Sequence, residues 1–201
     1  MNLFHHERVE QYFGELMEYL RVEIDGLNIS NVDIEKKAHE LAEKYEIEVP
    51  SINKNGITSI LNLEDSNEHV YQEHPNAMYG RPDVVATATF TVPITGTERY
   101  FGLLPSTFSQ KTYPALISRG ELKFKVRTGY VRLELPDQWK EHIRRTSQDI
   151  VEFIEVSLRN LAADFQKYNS NLLPQITEVL NRKKQEWERK QQLDKDINPF
   201  N

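Results

Sequence analysis

Cysteine is absent from the 201 residues. That excludes disulfide frameworks, thiolate zinc sites and thiol nucleophiles, and it is compatible with a reducing compartment. Glycine is scarce and scattered: Gly96, Gly102 and Gly120 form neither a phosphate-cradling loop nor a dinucleotide fingerprint. No run approaches the ~18 consecutive apolar residues of a membrane span. The first residues, Met1-Asn2-Leu3-Phe4-His5-His6-Glu7, lack the basic patch and apolar stretch of an export signal. A cytoplasmic location without membrane contact is the expectation. There is no G-x-S-x-G elbow, and no pair of carboxylates in an apolar setting that would raise a pKa. No histidine has a partner suited to general-base work. An enzyme is unsupported, and no cofactor is expected.

What is present is a polar, charged chain, 38% hydrophobic and 28% charged, long enough for one domain with a real core. Its net charge of -6 is unevenly spread. Residues 1–48 hold 12 carboxylates against 5 basic groups, whereas residues 82–136 hold 7 basic groups against 4 acidic ones. An acidic quarter beside a mildly basic middle argues against wrapping duplex DNA with the whole molecule, and leaves room for a local anion site.

The clearest pattern lies in that middle. Val84, Ala86, Ala88, Phe90, Val92 and Ile94 alternate with Val85, Thr87, Thr89, Thr91 and Pro93. Leu122, Phe124 and Val126 alternate with Lys123, Lys125 and Arg127, and Val131, Leu133 and Leu135 with Tyr130, Arg132 and Glu134. Period-two alternation predicts an antiparallel sheet with one face buried. Thr95-Gly96-Thr97 reads as a hairpin into a strand over 98–104, and Thr128-Gly129 as a turn into a strand over 130–135, giving four strands in all.

Helical periodicity flanks this region. Val9, Tyr12, Phe13, Leu16, Tyr19, Leu20 and Ile24 form one stripe over 4–24. Ile34, Ala38, Leu41 and Ala42 form another over 32–45, capped by Ser30 or Asn31. After Pro136, Ile143, Ile150, Ile154, Leu158, Leu161 and Phe165 line a long helix, which Asn169-Ser170-Asn171 interrupts. Leu173-Pro174 starts another helix, with Ile176, Val179, Leu180 and Trp187 as its apolar edge. The pattern therefore predicts an α+β fold in one domain. A helical hairpin and arm occupy 1–52, a long loop 53–83, a four-stranded antiparallel sheet 84–135, and two long C-terminal helices packed on one sheet face 136–190. A tail or linker follows over 191–201.

Two groups of side chains have chemistry in them. Lys123, Lys125 and Arg127 project the same way, with Arg132 able to join them and Thr87, Thr89 and Thr91 supplying hydroxyls. Cations beside hydroxyl donors suit the phosphates of a nucleotide or nucleic acid. The ordinary alternative is a solvated outer face, and with Tyr130 as its one aromatic the face is a poor stacking platform. The second group is His69, Glu73 and His74 in the long loop, whose donors could hold a divalent ion for a metal-dependent hydrolase. Against it, the spacing is not HExxH and no third ligand is set by the sequence. The helix from Pro174 to Trp187, with a narrow stripe, offers self-association as a further use.

Two stretches carry a family resemblance. One is Val92-Pro93-Ile94-Thr95-Gly96, Phe101, Leu104-Pro105-Ser106, Pro114 and Gly120. The other is Phe165, Asn169 to Leu173, Ile176 and Asn181-Arg182-Lys183. Over about residues 84–190 they resemble the N-terminal, non-catalytic region of bacterial multidomain proteins whose C-terminal part is a TIR-type effector. The resemblance implies a sensing or assembly module of an antiviral defence protein and places no catalytic residue on this chain. The leading expectation is thus a non-enzymatic recognition or oligomerisation module with a protein partner, and the alternative is nucleotide or nucleic-acid binding on the basic sheet face.

Overall fold

The computed structural model describes residues 1–65, 84–131 and 135–197. A mostly antiparallel sheet is backed by one long C-terminal helix, with a helical hairpin against that helix's second half. The central strands are β4 (Val84–Thr95) and β7 (Glu121–Val131), paired antiparallel. The short β2 (Ser51–Ile52) and the longer β3 (Thr58–Asp65) both pair with the other edge of β4. The three-residue β6 (Leu116–Ser118) pairs with the start of β7 through a tight turn at Arg119-Gly120. Both turn residues have positive φ (55° and 74°), the geometry whose twist suits a two-residue hairpin.

The alternating apolar residues do face inward. Ala86 and Ala88 are buried, and Val92, Ile94, Leu122, Phe124 and Val126 share one core with Ile150, Ile154, Leu158, Leu161 and Phe165 of α3 (Asp137–Ile197). The second core joins Leu20 and Ile24 of α1 (Val9–Asp25) to Ala38 and Leu41 of α2 (Ile34–Tyr45) and to Leu172, Ile176 and Leu180 of α3.

Several expectations are corrected. The two C-terminal helices are one 61-residue helix with Pro174 inside it. Proline in a helix interior costs ~3 kcal/mol. Leu172, Ile176 and Leu180 are each no more than 2% exposed, and at about 2 kcal/mol per buried side chain they outweigh that cost. Asn169-Ser170-Asn171 is not a break. Asn169 takes Ile47's backbone N–H on Oδ1 (3.1 Å) and gives its own amide to Ile47's carbonyl (3.0 Å). Ser170 and Asn171 both donate to the Lys167 carbonyl. Of the stripe expected to serve self-association, Ile176 and Leu180 are buried within the chain, whereas Val179 and Trp187 are partly buried.

Residues 98–104 are not a hairpin partner of β4. Glu98–Gly102 is a 3-10 turn, and only Leu103–Leu104 (β5) is strand, paired parallel with β1 (Glu7–Arg8) in a separate two-stranded sheet. The reason is burial without alternation: Tyr100, Phe101, Gly102 and Leu103 are buried in succession, which a strand with one open face cannot provide. Thr128-Gly129 is not a turn either, since β7 runs through it. Between the pairs Val85–Tyr130 and Thr87–Arg127 the register shifts, so that Thr128 and Gly129 together face Ala86 in a bulge. The Thr128 hydroxyl accepts from the Ala86 N–H (3.1 Å) and donates to its carbonyl (3.3 Å), satisfying the backbone that the bulge leaves unpaired.

The expected loop 53–83 contains β3, hidden from the sequence because Ile60 and Leu61 are adjacent and break the alternation. The N-terminal helix starts at Val9, not near Phe4, because Leu3 and Phe4 are core residues at 0% and 3% exposure. The segment before it is tied down: the His6 N–H donates to the Gly102 carbonyl (2.9 Å), and the Leu3 N–H to that of Tyr113 (3.0 Å). Asp33, rather than Ser30 or Asn31, caps α2, accepting from Lys36 N–H (3.1 Å). No helix among the described residues is long and apolar enough to cross a membrane.

Replacing Asn169 by Ala leaves both backbone groups of Ile47 without their partner. Chemical denaturation should show a loss of about 1–3 kcal/mol, with Ser170→Ala close to neutral as the comparison.

Candidate functional site: the open face of the sheet

With α3 on one side of the sheet, the other side presents the residues that alternate with the core. In an antiparallel ladder, directly opposed residues share a face, so the register defines a lattice. Lys123 lies opposite Thr91, which lies opposite Thr58; Lys125 opposite Thr89, then Ile60; and Arg127 opposite Thr87, then Asn62. Leu116 of β6 flanks Lys123 on the far side and is 64% exposed. The three cations therefore form one row along β7, at intervals of roughly 7 Å.

Their environments differ. Lys123 is held by Glu121 of its own strand at 2.8 Å. Lys125 and Arg127 are exposed and make no ion pair among the described residues. Thr89 and Thr91 are half-buried and stand beside the cations. Thr87 departs from expectation: it is only 1% exposed, so its hydroxyl is not offered to solvent, and it has no hydrogen-bond partner. The sequence pattern thus brings together Lys123, Lys125 and Arg127 and two of the three threonines. Arg132 lies outside the described residues, as do His69, Glu73 and His74. Among the described residues no group of three or more His, Asp or Glu side chains is placed to hold a metal ion.

The concave features lie elsewhere. A groove of about 320 Å³ runs between α1, α3 and the 105–114 loop, lined by Val9, Phe13, Gly14, Met17, Asp164 and Tyr168. Asp164 fixes that loop by accepting from both the backbone N–H and the hydroxyl of Ser106, and Asn160 donates to the Thr107 carbonyl (2.7 Å). Ser106 is therefore engaged in anchoring that loop. Tyr168 stacks on Phe13 at 4.6 Å between centroids. Its hydroxyl is buried with no partner, and burial, reinforced by Tyr45 and Tyr100, pushes its pKa up to about 12. Burial, helped by its hydrogen bond with Tyr100, also raises that of Tyr12. Neither groups of this kind nor the groove's mixed lining could be read from the sequence, because the elements that meet there are 150 residues apart.

No family model, curated protein or solved structure matches this chain.

Tyr168→Phe removes a buried hydroxyl that has no partner, so stability at neutral pH should hold or rise by about 1 kcal/mol. A tyrosine whose folded pKa exceeds its unfolded value near 10 contributes stability that is present below pH 10 and lost as the pH climbs toward 12. Denaturation midpoints followed from pH 8 upward should therefore fall less steeply in Tyr168→Phe than in the unsubstituted chain.

Proposed function

We propose that this chain is a non-enzymatic recognition module that holds a phosphate-bearing chain, a nucleic acid, on the open face of its sheet. The observation that carries the reading is the row of Lys123, Lys125 and Arg127 on one strand, with Lys125 and Arg127 free of acidic partners among the described residues. From Lys123 to Arg127 the row spans roughly 14 Å, and it lies on a pleated surface rather than in a pocket. A single nucleotide reaches one or two of these charges, whereas an extended phosphodiester backbone reaches all three. The threonine row alongside adds hydroxyl donors for phosphate or sugar oxygens. Ile60 and Leu116 flank the row with exposed apolar surface, while the charges and hydroxyls address the backbone, so the binding is indifferent to base sequence. A sensor role in an antiviral defence protein agrees with this reading and rests on the spaced residues of the resemblance alone.

Fluorescence anisotropy with a labelled single-stranded oligonucleotide, measured over a salt series, tests it. Affinity should fall with rising salt, and Lys125→Ala and Arg127→Ala should each weaken binding across sequences and reduce the slope of log K against log salt by about one. ATP should compete poorly. Binding that ignores both salt and these substitutions removes the reading.

A further inference from the structure

β3 forms the outer edge of the sheet along Thr58–Asp65, where all eight of its residues pair with β4 on one side and no strand lies beyond them among the described residues. Alternate residues of such a strand turn their N–H and C=O groups outward, where another strand can take them. The features that blunt natural edges are missing here. From Thr58 to Leu63 there is no lysine, no proline and no charge, and the pairing with β4 is free of bulges. Apolar side chains stand uncovered on both faces: Ile60 is 66% exposed on the open face, and Leu61 and Leu63 are 48% and 53% exposed on the other.

We propose that β3 pairs antiparallel with β3 of a second copy of this chain, about a two-fold axis at Leu61, so that one sheet continues across two protomers. Three properties of the strand favour a second copy. An isologous pairing requires self-complementarity, and this register gives it: Leu61 meets Leu61, Leu63 meets Ser59 and Ile60 meets Asn62, with no charge opposed to a like charge. The charge distribution selects the direction. The strand's acidic residues, Glu64 and Asp65, both lie at its C-terminal end, and Lys54 precedes its N-terminal end. Antiparallel copies bring each acidic end toward the lysine end of the other, while parallel copies would set carboxylates side by side. Lys54 is held by Glu155 at 2.8 Å but keeps 57% of its side chain exposed. Finally, the exposure of Leu61 and Leu63 on the helix side means that α3 stops short of the edge, and there the four leucines of two copies would cover one another.

Opposed residues share a face, so the pairing puts both basic rows on the same side of the joined sheet. Five strand spacings separate the two β7 strands, roughly 24 Å, about three screening lengths at physiological salt, so the rows do not repel each other appreciably. The pairing itself rests on the edge of β3 and stands whether or not the open face binds an anion.

Sedimentation equilibrium of the full chain over a concentration series is the test. The mass should move from 23.6 kDa toward twice that value, and Leu61→Lys combined with Leu63→Lys should restore the single-chain mass with an unchanged circular dichroism spectrum. Because the chain has no cysteine, Leu61→Cys is a clean second probe. A mild oxidant should link it into a disulfide dimer, while Val22→Cys, 64% exposed on α1, stays monomeric. A single-chain mass at every concentration overturns the proposal. So does a dimer that survives the paired lysine substitutions, or one that cross-links equally through Val22→Cys.

Discussion

One unbroken apolar stripe holds this molecule together. Along α3, Ile150, Ile154, Leu158, Leu161, Phe165, Leu172, Ile176 and Leu180 are buried in sequence, first against the sheet and then against α1 and α2. The start of α1 adds an aromatic cluster at the junction, where Tyr12 meets Tyr100 of the 3-10 turn and Phe13 meets Phe165 and Tyr168 of α3. Remove the continuity of α3 at Asn169–Pro174 and the two cores lose their common wall. That requirement explains why a proline is carried inside the helix and why Asn169, Ser170 and Asn171 hydrogen-bond to backbone groups.

The same helix decides what the sheet can do. By covering the face that holds Leu122, Phe124 and Val126, it leaves Lys125 and Arg127 on a surface without a helical partner among the described residues. Cations on the buried side would have to shed their hydration at great cost, so their alternation with apolar residues and their availability are consequences of one constraint. The acidic hairpin sits at the other end of α3, and its charge is partly spent locally, as in Lys44 with Glu23 at 2.7 Å and Arg99 with Glu7 and Glu15, both at 2.9 Å.

Strong periodicity was legible in the chain and weak or interrupted periodicity was not. The faces of β4 and β7, both N-terminal helices and the common side of Lys123, Lys125 and Arg127 follow from alternation alone. The path of 98–104 does not, because its burial comes from packing against the N-terminal residues and α3, contacts about 60 to 100 residues distant. β3 is not legible because an edge strand buries neither face fully and so needs no alternation. Local breakers misled in two places: Pro174 and Gly129 both signal an end of structure, and tertiary packing overrides one while a threonine hydroxyl accommodates the other. The covering of Thr87 was equally invisible, since period two assigns it to the open side.

The bulge at Thr128-Gly129 works as a phase shifter. Before it, odd-numbered residues of β7 pair with odd-numbered residues of β4; beyond it even-numbered Tyr130 pairs with odd-numbered Val85. A strand of perfect regularity would have carried its later positions to the wrong surface, or forced the chain to turn where a turn was expected. One surplus residue thus lets a single strand keep its ladder with β4 while its numbering changes step, and losing that residue would shift the register of every pair that follows.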